Sequence, residues 1–230
     1  MMKNILLIGG SYGIGFEIAS QLSGEYNIYI ASRTKENIPE NCTHITFDAI
    51  ENDISELDLP DRIDGLVYCP GSINLKPFKR LSVENFQEDL NINFLSLVKT
   101  VQALLPKLKT AEQASLVFFS TVAVQMGMPF HTSVAASKGA IEGFAKALAA
   151  EYAPSFRVNV IAPSLTDTPL AERLLNSEDK KDKMAQRHPL NRVGKASDIA
   201  NMASFLLSDQ SSWMTGQVLG VDGGMSSIKL

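Results

Sequence analysis

Short apolar runs alternate with longer helical patterns along the whole chain. The runs are apolar without strict alternation, which is typical of parallel strands buried on both faces of a sheet. Their β-rich composition and the turn residues around them predict seven strands. The predicted strands are residues 3–8, 28–31, 44–47, 65–68, 115–119, 157–161 and 217–221.

Apolar residues at helical spacing predict four longer helices between these strands. The first carries an apolar residue at every fourth position from 14 to 22 and ends near Gly24, a typical C-terminal cap. Ser82 can cap a second helix that runs to Leu108, and Pro106 is a candidate for a kink in it. The other two are predicted over residues 133–152 and 198–208.

Seven strands with intervening helices predict a Rossmann-type α/β fold, in which a doubly wound parallel sheet carries helices on both faces. The segment 33–64 contains only a weak helical stretch over 52–57, so we expect the sheet to be less covered there. No repeat, low-complexity tract or linker divides the sequence. We therefore expect residues 1–230 to form a single domain.

The composition excludes several classes of protein. The 230 residues are 45% hydrophobic and 20% charged, close to the average for a globular protein, with a net charge of −4. A nucleic-acid-binding protein usually has a basic excess, so we expect no nucleic-acid partner. The longest apolar runs are too short to span a bilayer, and the start of the chain has no secretion signal, which predicts a cytoplasmic protein with no membrane partner. Two cysteines and three histidines make a metal site unexpected.

A glycine-rich turn joins the first predicted strand to the first predicted helix. Glycines there permit a tight turn and let the backbone approach a pyrophosphate, which then lies on the helix N-terminus. An ordinary strand-to-helix turn is the alternative, but the strand before it and the helix after it favour nucleotide binding. The residues assigned to the nucleotide are Gly9, Ser11, Tyr12, Gly13, Ile14 and Gly15.

The Gly-x-x-x-Gly-x-Gly spacing of this turn resembles that of the short-chain dehydrogenase/reductase family, and the resemblance extends over almost the whole chain. The motifs that carry it are Asn91-Ile92-Asn93-Phe94, Arg157-Val158-Asn159-Val160-Ile161-Ala162-Pro163, Thr215-Gly216-Gln217 and Val221-Asp222-Gly223-Gly224. The resemblance implies further contacts to a nicotinamide dinucleotide. It assigns Asp48 to the adenine and Thr168 to the nicotinamide amide. The other residues that it implies are Gly71, Lys138, Pro163 and Thr166. It further implies a homodimer or homotetramer built on the helices around 82–109 and 133–152.

The end of the second strand indicates which dinucleotide binds. An acidic residue there would bind the ribose 2′-hydroxyl and favour NAD. This chain has Ser32 followed by Arg33, and a guanidinium suits a 2′-phosphate through charge-assisted bonds. The sequence therefore favours NADP(H) over NAD(H), with a solvated surface Arg33 as the alternative.

The family's reaction centre is a Ser, and a Tyr and a Lys four residues apart on one helix. By this resemblance Lys138 binds the nicotinamide ribose, Thr121 takes the place of the Ser, and Asn93 orders the helix and a water. Val134 falls at the Tyr position, and a valine has no proton to give. A further departure is Ser164, which follows Pro163 where the family has Gly.

His131 is the candidate to replace the Tyr as proton donor. It lies seven residues before Lys138, and seven helical steps return to within about 20° of the same face. Its unperturbed pKa of about 6.5 suits proton exchange at neutral pH. The alternative is a loop position ahead of the helix, where His131 merely caps or faces solvent. A water bound to Lys138 is another possible donor, and Ser133 is expected to cap the helix.

Two functions remain open on the sequence alone. The first is an NADP(H)-dependent oxidoreductase that acts on a small-molecule carbonyl, alcohol or activated double bond. The second is a dinucleotide-binding protein without catalysis, serving as a sensor or a partner subunit. The second explains the missing Tyr without a replacement donor.

Overall fold

A computed structural model describes residues 2–35 and 37–229 and contains the predicted doubly wound parallel sheet. The seven strands run parallel in the order β3-β2-β1-β4-β5-β6-β9. Their bounds are β1 Asn4–Ile8, β2 Asn27–Ser32, β3 Cys42–Thr46, β4 Gly65–Tyr68, β5 Ala114–Phe119, β6 Phe156–Pro163 and β9 Val218–Val221. A separate two-stranded sheet pairs β7 Thr166–Asp167 with β8 Gly194–Lys195, and the sequence pattern did not predict it.

Helices cover both faces of the large sheet, as the fold class requires. One face packs its apolar side chains against the helices Ser96–Leu108 and Thr132–Tyr152, and the other packs against the helices Gly13–Leu22 and Ala196–Leu207. In segment 33–64, where the sequence predicted little helix, the helical element among the described residues is one 3-10 turn, Ile54–Glu56. The helices are α1 Gly13–Leu22, α2 Val83–Leu90, α3 Ser96–Leu108, α4 Ala123–Met126, α5 Thr132–Tyr152, α6 Glu178–Ala185 and α7 Ala196–Leu207.

The helix predicted from Ser82 to Leu108 is interrupted, but not at Pro106. Helix α3 continues through Pro106, and the interruption is a π-helical turn at Asn91–Leu95. A π turn inserts extra backbone into a helix and changes which side chains face inward. Here it accompanies the complete burial of Asn93.

The end of α1 also differs from the expectation. Ser23 is the C-terminal cap residue, and its N–H donates to the carbonyl of Ala19 at 3.0 Å. Gly24 follows without the left-handed conformation that would make it the cap, because the local hydrogen bonds already close the turn. Within the part of the chain that the structure describes, no helix is long and apolar enough to cross a membrane.

Candidate active site

The glycine-rich turn leaves the N-terminus of α1 open to an anion. Helix α1 begins at Gly13, directly after β1, and Tyr12 is its N-cap residue. Among the described residues no side chain caps this N-terminus, and the first turn holds no acidic residue. The first backbone N–H groups of the helix are therefore available to a phosphate.

Close backbone packing makes this turn possible. A Cβ atom on Gly15 would lie 2.1 Å from the carbonyl oxygen of Gly9, far inside contact distance. Gly15 therefore allows α1 to start directly against the end of β1. This packing places the helix N-terminus beside a cleft at the end of β1.

A cleft with a volume of about 230 Å³ runs from this turn along the carboxyl ends of the strands. Next to it, the Ser11 hydroxyl hydrogen-bonds that of Thr34 at 3.0 Å, and Ser32 Oγ donates to the Thr34 carbonyl at 2.8 Å. His44 Nε2 lies 3.0 Å from Ser32 Oγ. The predicted cofactor residues that line this cleft are Gly9, Ser11, Tyr12, Gly13, Ile14, Gly15, Ser32, Arg33, Asp48, Gly71 and Thr168.

A larger cavity of about 510 Å³ adjoins the cleft, and its lining is mostly apolar. The two spaces share five residues on their walls, Ile14, Cys69, Gly71, Thr168 and Leu170. The other predicted site residues on the wall of the larger cavity are Thr121, His131, Lys138, Pro163 and Thr166, and Val134 lies beside them. The cleft and the cavity therefore meet at a common wall.

The Lys138 ammonium is the main charged group at the junction. Its Nζ donates to the carbonyl of Phe119, at the end of β5, at 3.0 Å. Burial lowers the pKa of Lys138 to about 8, although the negative charge of Asp89 acts to raise it. A Cβ on Gly71 would lie 3.2 Å from this Nζ, so the glycine keeps the space beside the ammonium open.

Asn93 lies behind this junction and joins two parts of the site. Its Nδ2 donates to Ser137 Oγ on α5 at 3.0 Å and to Ser72 Oγ at 3.1 Å. Its Oδ1 accepts from the backbone N–H of Ser72 at 3.2 Å. Asn93 therefore fixes the segment after β4 to the helix that carries Lys138.

Thr121 and His131 lie on the cavity wall, and each has a polar atom that can make a further hydrogen bond. Thr121 Oγ1 accepts from the N–H of Ala123 at 3.3 Å, which leaves its hydroxyl hydrogen for another partner. His131 is the N-cap residue just ahead of α5, and its ring remains on the wall that Lys138 shares. Its Nδ1 lies 2.7 Å from the carbonyl of Pro129, which can only accept, so Nδ1 carries the hydrogen and Nε2 is left free.

The expectation that Ser133 caps α5 is wrong. Ser133 lies inside the helix, is buried, and donates to Asp89 Oδ2 at 2.5 Å. Asp89 is itself fully buried and also accepts from Ser72 Oγ and from Asn74 Nδ2. Sequence reasoning missed this cluster, because the contact between Asp89 on α2 and Ser133 on α5 depends on how the two helices pack.

Comparison with known proteins agrees with this geometry. Residues 46–226 match the family model described as enoyl-(acyl carrier protein) reductase. The chain is 32% identical to the 3-oxoacyl-(acyl-carrier-protein) reductase FabG of Chlamydia trachomatis, with 97% of each chain covered. The chain therefore belongs to the short-chain dehydrogenase/reductase family, a class of NAD(P)-dependent oxidoreductases.

Solved structures show the same fold over the full length. A short chain dehydrogenase family protein from Francisella tularensis is 27% identical, with a TM-score of 0.92 and coverage of 99% of this chain and 100% of that one. The ligand-free aldohexose dehydrogenase of Thermoplasma acidophilum is 26% identical, with a TM-score of 0.89 and coverage of 100% and 97%. In the described residues, no group of three or more His, Cys, Asp or Glu side chains could hold a metal ion.

Replacing Gly15 by Ala tests the phosphate-binding turn. The new Cβ would collide with the Gly9 carbonyl, so the turn must open and its N–H groups must move. We expect NADPH affinity to fall at least ~10-fold in a fluorescence titration, equivalent to about 1.4 kcal/mol. Gly143→Ala on the exposed side of α5, where a Cβ meets no atom within 4 Å, is the matched control and should bind normally. Equal affinities of the two variants would contradict this account of the turn.

The buried ammonium predicts a pH dependence of stability. The pKa of Lys138 is about 8 in the folded chain against 10.5 in the unfolded chain, so between these values the unfolded state binds more protons. The cost of burying the charge is therefore fully present below pH ~8 and is lost as the pH rises towards ~10.5. Relative to Lys138→Met, the protein should gain on the order of 3 kcal/mol of unfolding free energy across this range, measured by urea unfolding. If the unfolding free energies of the two proteins changed in parallel with pH, this prediction would be refuted.

Proposed function

We propose that the protein is an NADP(H)-dependent oxidoreductase that transfers a hydride to or from a carbonyl, an alcohol or an activated double bond. The observation that carries this proposal is the common wall of the two spaces, where the open turn of α1 and the Lys138 ammonium face one continuous site. The nicotinamide cofactor, when bound, supplies or accepts the hydride. Its remaining contacts are assigned to Asp48, Pro163, Thr166 and Thr168, and Lys138 is assigned to its ribose.

The preference for NADP(H) rests on the groups at the end of β2. Ser32 is uncharged and buried, whereas Arg33 is exposed at the rim of the cleft. Neither Ser32 nor Arg33 carries a negative charge that would repel a 2′-phosphate, and a guanidinium can bond one through two N–H groups. The Ser11 and Thr34 hydroxyls lie on the same side of the cleft.

Arg33→Ala tests this preference. A hydrogen bond to a charged group contributes about 1.5–3 kcal/mol, so NADPH affinity should fall on the order of 10- to 100-fold. NADH affinity should stay the same, because NADH has no 2′-phosphate. Both are measured by calorimetric titration, with Lys35→Ala as a control for the loss of one positive charge nearby. A similar loss for both nucleotides in Arg33→Ala would refute the preference.

The reaction also needs a proton donor, because Val134 occupies the position of the family's Tyr. We assign this role to His131, whose Nε2 is free while the Pro129 carbonyl holds Nδ1. In the reductive direction the imidazolium gives its Nε2 proton to the substrate oxygen or carbon. Thr121 donates to the substrate oxygen, and Asn93 keeps α5 in place. A water bound to Lys138 is the second candidate donor.

The assignment is tested by NADPH oxidation with a panel of ketones, aldehydes and enones. His131→Phe should lower kcat on the order of 10²- to 10⁴-fold, the usual contribution of general acid catalysis, and should leave NADPH affinity unchanged. Lys138→Ala should lower both turnover and NADPH affinity. If His131→Phe turns over normally, the donor is not His131 and the Lys138-bound water takes its place.

The alternative function is an NADP(H)-binding sensor or partner subunit without turnover. The observation that favours it is Val134, which lies buried on the cavity wall and offers no proton. This alternative predicts tight NADPH binding with no oxidation by any acceptor in the panel.

We also propose that each chain is one cofactor-binding domain of a homodimer or homotetramer. The exposed apolar residues Val83 and Leu95 beside α5 offer contact surface for such an assembly.

A further inference from the structure

Ser164 and His188 form a hydrogen-bonded pair on the wall of the large cavity, and the proposed hydride transfer uses neither of them. Ser164 follows the last residue of β6, and His188 follows α6. Ser164 Oγ lies 2.8 Å from His188 Nε2. Both residues line the cavity that holds Lys138.

The hydrogen bonds around the pair fix the orientation of the imidazole. His188 Nδ1 lies 2.8 Å from the carbonyl of Met184, and a carbonyl only accepts, so Nδ1 carries the hydrogen. Nε2 is then the acceptor for the Ser164 hydroxyl. The sulfur of Met225 lies 3.0 Å from the same Oγ, but a thioether is a much weaker acceptor than an imidazole nitrogen.

This arrangement has the parts of an activated nucleophile. A serine becomes reactive when a base lies within hydrogen-bond reach and a third group holds that base in position. Here the base is buried His188, and the third group is the Met184 carbonyl. The Ser164 side chain is only half-buried and lies on the cavity wall, where a substrate can reach it.

We propose that Ser164 is the nucleophile of a second activity, the hydrolysis of esters or thioesters with an apolar acyl chain. Ser164 Oγ forms a bond to the acyl carbon while its proton passes to His188 Nε2. That proton then goes to the alcohol or thiol that leaves, and water releases the acid from the serine by the same steps. No oxidant, reductant or cofactor is needed.

The rest of the cavity fits this substrate class. Its volume is about 510 Å³, and apolar side chains make up most of its wall. The Lys138 ammonium and the Thr121 hydroxyl line the same cavity, and the proposal assigns them as donors to the carbonyl oxygen as negative charge develops there. The apolar residues available to the acyl chain include Val122, Met128, Leu165, Leu174 and Met184.

A fluorophosphonate probe tests the proposal, because it bonds to an activated serine and releases fluoride. We expect peptide mass spectrometry to find the label on Ser164, no label in Ser164→Ala, and labelling at least ~10-fold slower in His188→Asn. Ser120→Ala is the matched control and should label normally, because Ser120 Oγ on the same cavity wall bonds to the Glu142 carboxylate instead of an imidazole.

The rate of p-nitrophenyl butyrate hydrolysis should rank the variants in the same order. Ser120→Ala should hydrolyse it normally, His188→Asn more slowly, and Ser164→Ala not at all. A label on any other residue, or none on Ser164, would overturn the proposal, and so would equal hydrolysis by the protein and Ser164→Ala. NADPH binding by Ser164→Ala shows that the variant is folded. NADPH binding and oxidation by the unmodified protein are measured separately, so failure of this second activity is distinguishable from failure of the proposed hydride transfer.

Discussion

The hydrogen bond from the Lys138 ammonium to the Phe119 carbonyl is the contact on which the site depends. Burying a positive charge costs free energy, and here part of that cost is recovered by one strong bond to the end of β5 and by the charge of Asp89. The arrangement fixes α5 against the carboxyl ends of the strands, where the cleft and the cavity meet. A smaller or neutral side chain would relieve the burial cost but would leave the junction without its cation.

Two buried polar residues near Lys138 also hold α5 in position. Asn93 connects α5 to the segment after β4, and the π turn around it accompanies its burial. Asp89 adds a second connection through Ser133 on α5 and Ser72 on that same segment. Because both connections are buried and share Ser72, loss of one is expected to loosen the other.

Local patterns in the sequence were enough to predict the seven strands and the parallel sheet that they form. The glycine-rich turn follows from residues that lie close together in the chain, whereas the order of the strands was not predicted and depends on pairing between distant segments. Helical periodicity also predicted that His131 would share a wall with Lys138, although His131 stands just outside α5. The position of Asn93 followed from the family resemblance, whereas the π turn that contains it did not.

What the sequence could not predict depends on contacts between distant segments. Ser133 fits the pattern of a helix cap, and only the packing of α2 on α5 shows that Asp89 is its partner. Ser164 and His188 are separated by more than twenty residues that include α6, so the sequence gives no sign of their pairing. The β7–β8 pair is too short to give a periodic signal.

The central claim is hydride transfer at the junction of the cleft and the cavity, and isotope transfer tests it most directly. NADPH carrying deuterium at the reactive carbon of the nicotinamide would be incubated with the protein and a panel of ketones, aldehydes and enones, and the products analysed by mass spectrometry. We predict that deuterium appears on the carbon that is reduced in at least one product, and that Lys138→Ala lowers the rate of this transfer. NADPH that binds tightly but passes no deuterium to any acceptor would contradict the account and favour the sensor.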